Sequence, residues 1–346
     1  MSSSASAPLP APVPRARVGA LTRVTASPTL RFIGRRLLTA IPVLWGVTFA
    51  TFIVMNALPG DAAQELLGAQ ATPAEIHQLS VQLGLDKPFL TRYWEWLHGL
   101  LTGNLGHSLA SGQSVTSILG SDLPVSFELL AFAFIVSLVL AVPIGLLSAR
   151  RPNGIFDRVS MILTMGGLSI ANYVLALVLV YIFAVRLNLL PALGWVPPDQ
   201  SIWGNIKCLI MPAVAIGLSL LCFYARLLRA DLLEQLHSED YVVTARAKGV
   251  GPWRILLHHT MRNSVFGLIT VVALNLGTLL GATVVIEEIF GLPGIGHELL
   301  SAIGNRDLPV VEGTVVVFGL MVVLANLLAD LLYAALDPRV RYGSAG

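Results

Sequence analysis

The residues able to do chemistry are few and scattered. His258 and His259 stand side by side, but consecutive helical residues point about 100° apart, so one metal ion rarely suits both. Packing is the better account of the pair. His77, His98, His107, His237 and His297 show no ligand spacing. Cys208 and Cys222 are fourteen helical residues apart, about 21 Å, which is too far for a disulfide. No Gly-x-x-x-x-Gly-Lys-Ser/Thr phosphate loop, Gly-x-Ser-x-Gly elbow or His-Glu-x-x-His pair occurs. The expectation is therefore no catalytic residue, no metal site and no cofactor held by this chain. What is left is a set of acids and amides in or beside apolar runs: Glu128, Glu287, Glu288 and Asp330, with Asn172, Asn275 and Asn326. An ionisable group in an apolar run is costly and is read first for function. Glu128, Asn172, Asn275, Glu287 and Glu288 are the candidates for lining a polar path. The acids could meet a cationic solute or pair with Arg186 or Arg306, and pairing is the preferred reading.

The elements that must position these residues are membrane spans. Apolar residues make up 55% of the 346 and charged ones 12%, with a mean hydropathy of +0.75. Soluble chains are nearer a quarter charged. Runs of about 18 apolar residues can cross a bilayer as helices. Six occur, near residues 37–58, 129–149, 159–185, 208–225, 264–286 and 310–336. Of the 22 basic residues only Lys87, Arg92, Arg186, Lys207 and Arg306 fall in the alternate, outer segments. By the positive-inside rule both termini face the cytoplasm. Residues 1–30, rich in Ser, Ala and Pro, read as a disordered cytoplasmic tail. The run that follows is too long for a signal-peptide core, so an uncleaved anchor is expected.

Residues 59–123 form an outer segment long enough to hold structure. Thr72-Pro73-Ala74-Glu75 is a capping box, Ile76, Leu79 and Leu83 mark one helical face, and Gly84 ends it. A second helix starts near Pro88, where Phe89, Tyr93, Trp96, Leu97 and Leu100 recur at helical spacing. It is expected either to lie on the bilayer or to receive an external partner.

The polar island at residues 230–263 reads as two short helices around a corner. Asp240 to Lys248 lacks Gly and Pro. Gly249 offers a left-handed stop, and Pro252 suits the first turn of a new helix. Tyr241, Ala245 and Lys248 fall on one face. A small Ala245 beside an aromatic Tyr241, with Arg246 and Lys248 for charge, suggests a docking face for an acidic groove.

Tyr241-Val-Val-Thr-Ala-Arg-Ala-Lys-Gly249, followed by Arg262-Asn263, resembles the cytoplasmic coupling loop of ATP-binding-cassette importer permeases. Within them it resembles the dipeptide/oligopeptide/nickel branch and its first-permease, B-type, subunit. The general motif of Glu-Ala-Ala, three residues and Gly falls on Val243, Thr244, Ala245 and Gly249, so its Glu is absent. Leu85-Asp-Lys-Pro88, Gly103-Asn-Leu-Gly-His-Ser108, Glu287-Glu-Ile-Phe-Gly-Leu-Pro-Gly-Ile-Gly-His297 and Asp330 to Arg341 resemble the same branch, over residues 31–341. The resemblance implies an all-α integral membrane protein of the type I importer permease class, with six transmembrane helices. It implies ATPase coupling through Asp240, Tyr241, Thr244, Ala245, Arg246, Lys248 and Gly249. The implied partners are a second, homologous permease, two cytoplasmic ATPases that bind ATP and Mg, an extracytoplasmic binding protein and membrane lipid, with no nucleic acid. The implied place is the bacterial inner membrane and the implied cargo a dipeptide or oligopeptide. Nickel chelates, glutathione or other small cargo stay open. A stand-alone secondary transporter is the rival class; it would want an ion-coupling cluster or internal repeats, and neither is visible.

Overall fold

The computed structural model describes residues 28–57, 62–67, 71–82, 84 and 86–336. The expectations for residues 1–27, for Leu83 and Leu85, and for the stretch from Asp337 to Arg341 lie outside them. The described chain is helical, with no strand among the described residues beyond one bridge between His107 and Ser114. Close contacts group it into two units, one through Pro42 and one from Val43. The first holds the start of α1 (Pro28–Ala57). The second holds the rest of α1 and everything after it.

Among the described residues four helices are long and apolar enough to cross a membrane: α1, α5 (Val115–Arg150), α8 (Ile202–Ser238) and α13 (Leu308–Leu336). Two bent pairs raise the number to six. The first pair corrects the continuous run expected at 159–185. Helix α6 (Ile155–Ser169) and helix α7 (Asn172–Leu179, continued by a π turn over Val180–Arg186) meet at 104°. Ile170 and Ala171 are extended there, at ψ 126° and 136°. The break carries no Gly or Pro of its own, so apolar composition conceals it. Asn172, which starts α7, accepts a hydrogen bond from Ser219 Oγ at 2.8 Å, anchoring the turn on α8. The second pair bends by 61° between Asn275 and Leu279, within α11 (Met261–Phe290).

The core is the seam between α5 and α8, which is built from small residues. Ala133, Ser137, Ala141 and Gly145 recur every four residues along α5, and all are buried. A Cβ on Gly217 would sit 3.0 Å from the Ala133 carbonyl oxygen, and one on Gly145 3.1 Å from that of Ala225. In a membrane, where burial among lipid tails gives little drive, such backbone approach is what holds helices together. A buried ion pair adds a fixed point. The Arg229 guanidinium on α8 grips Asp157 of α6 twice, Nε to Oδ1 at 2.5 Å and Nη2 to Oδ2 at 2.7 Å.

The described residues between α1 and α5 are held by polar and aromatic contacts. Glu75 Oε2 accepts from the Thr72 amide at 2.8 Å, closing the capping box of α3 (Pro73–Gln82). Helix α2 (Ala62–Leu67) precedes it. Helix α4 (Phe89–Leu101) turns its aromatic face to the first span rather than to lipid. Tyr93 is buried with its ring 5.1 Å from Phe49 and 5.2 Å from Phe52, while Leu90, Trp94 and Leu101 are left outward. Asp307, before α13, accepts from Ser108 Oγ at 2.5 Å and from the amides of Leu109 and Ala110, so one carboxylate holds the loop that feeds α5.

Candidate functional site

The site is the elbow between α8 and α11. Helix α8 ends at Ser238, and Glu239, at ψ 125°, turns the chain into α9 (Asp240–Ala247). Gly249 takes φ +76°, a left-handed conformation that costs other residues about 1–2 kcal/mol. This lets the Val250 amide donate back to the Ala245 carbonyl at 3.1 Å, a tight helix stop. Pro252 then opens α10 (Pro252–Arg254) at its first turn, and a π turn over Ile255–Thr260 carries the chain into α11.

A small core of its own fixes the corner: Val242, Ala245 and Ile255 are buried together, with Leu236, Tyr241 and Val250 packed on them. Polar ties reinforce it. The Tyr241 hydroxyl donates to Gln235 Oε1 at 2.6 Å and accepts from Asn263 Nδ2 at 3.2 Å. Arg246 Nη2 donates to the Leu236 carbonyl at 3.2 Å, satisfying a carbonyl in the last turn of α8. On the span side, the Arg150 guanidinium lies 4.4 Å above the Trp253 ring, joining the end of α5 to the start of α10.

This geometry divides the residues that sequence put on one docking face. Ala245, 7% exposed, and Tyr241 point into the elbow. They make the corner rigid and present little to a neighbour. Asp240, Thr244, Arg246, Lys248 and Gly249 are exposed. Val243, 61% exposed, adds an outward apolar side chain that spacing alone did not select. Val243 and Ala247 share one face, flanked by Thr244 and Lys248. The only signal for this in the sequence is an apolar residue where the general motif has Glu. His258 and His259 are exposed, and no three His, Cys, Asp or Glu side chains gather as for a metal among the described residues.

Each candidate path residue is held by a neighbour within the protein. Glu287 is fully buried: its Oε2 accepts from the amides of Gly296 at 2.7 Å and His297 at 3.2 Å, the first turn of α12 (Ile295–Gly304). Gly294 and Gly296 leave room for it, because a Cβ on either would lie within 2.8 Å of that carboxylate. Glu288 pairs with His297 Nδ1 at 2.7 Å rather than with Arg186, whose Nε donates to the Tyr181 hydroxyl at 2.8 Å. Glu128 accepts from Trp195 Nε1 at 3.2 Å. Asn172 is held by Ser219, and Asn275 Nδ2 donates to the Val271 carbonyl within its own helix at 2.9 Å.

Comparison with known proteins matches both ends of this architecture. The family described as the binding-protein-dependent transport system inner membrane component matches residues 141–342, the elbow included. Its N-terminal membrane component matches residues 29–130. A dipeptide transport system permease protein of Alkalihalophilus pseudofirmus is 37% identical over 90% of this chain and 100% of its own. A putative peptide transport system permease protein of Brucella abortus is 38% identical over 89% of this chain and 98% of its own. A glutathione transport system permease protein of Pectobacterium atrosepticum is 36% identical, over 90% and 99%.

Proposed function

The chain belongs to the family of binding-protein-dependent transport system inner membrane components, and from that premise we propose that it is one of two homologous permeases in an ATP-driven peptide importer. Cargo arrives from an extracytoplasmic binding protein and passes between the two permeases. Two cytoplasmic ATPases bind ATP and Mg and supply the work, since this sequence has no phosphate loop. Both termini and the elbow face the cytoplasm, in keeping with the basic residues at that end of the spans.

The observation that carries the reading is the elbow. Its corner is fixed by Gly249 at φ +76° and by the Val242–Ala245–Ile255 core. A stiff corner passes a push from α9 into α8 on one side and α11 on the other. Movement requires contacts that differ between two states. Here the moving contacts are those of the outward face, Val243, Thr244, Ala247 and Lys248, with an ATPase groove. Asp240, Arg246 and Gly249 flank that face, while Tyr241 and Ala245 support it from inside.

Uptake into proteoliposomes holding the complete assembly tests this. Dipeptide accumulation is expected to need ATP, both permeases and the binding protein, and to vanish when ATP is replaced by a non-hydrolysable analogue. Uptake by this chain alone, driven by an ion gradient, would place it among secondary transporters. Competition by oligopeptides and by glutathione ranks the cargo, the latter because one close relative is named for it.

A further inference from the structure

A cavity of about 430 Å³ lies behind the elbow, between the end of α5, the last turn of α8, α9 and α10. Its lining is two-natured. Arg150, Arg246 and His237 bring basic side chains, and no acidic residue lines it. Pro152, Leu236, Val250 and Pro252 form an apolar wall, backed by the buried Ile255 and Leu256. Among the described residues neither arginine is in an ion pair. Arg150 stacks on Trp253 and Arg246 spends one donor on the Leu236 carbonyl. Each guanidinium has five N–H donors, so donors remain on both. Two arginines from different elements, converging without a carboxylate, make a receptor for a phosphate-like anion.

The apolar wall narrows the ligand. A free phosphate would satisfy the arginines and leave the accessible apolar lining, Pro152, Leu236, Val250 and Pro252, uncovered. Just past Pro152 at the rim, Ile155 begins α6 with 86% of its surface exposed, and Phe156 follows, also exposed. On the orientation proposed above, the cavity therefore lies beside the cytoplasmic start of the apolar α6, on the side carrying the basic residues. Anionic lipid is drawn to that side.

We propose that this cavity binds an anionic phospholipid of the inner leaflet, its phosphate held by Arg150 and Arg246 and its glycerol and first methylenes on Pro152, Leu236 and Pro252. The assignment rests on the orientation proposed above. Such a lipid joins the end of α5 to α9 and braces the elbow against its span.

Native mass spectrometry of the intact assembly, released from bilayers of phosphatidylcholine with phosphatidylglycerol, reads the site directly. Phosphatidylglycerol is expected to stay bound to this chain through collisional activation that strips phosphatidylcholine. Arg150→Gln is expected to cut its retention roughly tenfold, as loss of one charge-assisted contact does. Arg246→Gln should do the same, and serves if the first variant does not fold. Arg158→Gln, an exposed α6 arginine outside the cavity, is expected to change nothing. Equal retention in all three variants overturns the proposal. So does inorganic phosphate that protects wild type, but not Arg150→Gln, against unfolding as strongly as the lipid does. The same spectra report whether ATPase subunits accompany the chain, so lipid binding without them counts against the importer reading and leaves this site standing.

Discussion

On the proposed function, Val243 is the side chain on which the elbow's contact with an ATPase turns. It is apolar, outward and flanked by polar residues, the pattern of a small anchor. Val243→Asp is expected to cut ATPase co-purification about tenfold or more with the melting temperature unchanged, read by quantitative blotting of the purified assembly. Ala245→Leu, by contrast, overfills the small core and is expected to cost about 1–3 kcal/mol of local stability, seen as faster proteolysis at the elbow. Sequence spacing grouped Tyr241 and Ala245 with Lys248 because three helical positions share a face. It did not say which side that face takes, because the deciding neighbours, Leu236 and Ile255, come from other elements. Glu287 follows the same logic. The sequence offers this acid an arginine partner or a cationic solute, yet it caps α12, and Glu287→Ala is expected to destabilise the turn from α11 to α12 by about 1–3 kcal/mol in thermal unfolding. Glu298 contributes to the pH response of that region. Burial pushes its carboxyl up, Asp122 and Asp307 push the same way, and His297 opposes them. A raised folded-state value means stability that is full below the ordinary glutamate pKa of about 4.3 and is lost as pH rises through the raised one. Glu298→Gln is therefore expected to melt above the parent at about pH 7 and level with it below about pH 4.

At the scale of elements, the α5–α8 seam holds the bundle. Gly217→Val would drive a side chain into the Ala133 carbonyl, 3.0 Å from the first added carbon. Overpacking of this kind costs about 1–3 kcal/mol, so a lower melting temperature in detergent is expected, whereas Gly281→Val, with open space around it, should leave it unchanged. The long helices were legible in the sequence because hydropathy and length determine a span. The corner at Gly249 was legible too, since a left-handed glycine and a first-turn proline act through their own backbone. The 104° break before Asn172 was not, because the Ser219 that holds Asn172 lies on a different helix, and Ile170-Ala171 look like any apolar pair. The aromatic face of α4 was visible, while its burial against Phe49 and Phe52 depended on the path of α1.

Among the described residues, six candidate crossings result when each bent pair is taken as one span. From Val43 onward, Asp307 and Tyr93 tie down the segment between α1 and α5, and the elbow has its own core. On the proposed function, force from ATP hydrolysis enters through α9. The most direct test places a photoreactive amino acid at Val243, in membranes holding the full assembly, and identifies the cross-linked product by mass spectrometry. The product predicted is an adduct to a cytoplasmic ATPase subunit, with a yield that changes when ATP is trapped unhydrolysed. A Val243 adduct to the extracytoplasmic binding protein, or an ATPase adduct formed instead from Leu90 on α4, would contradict it.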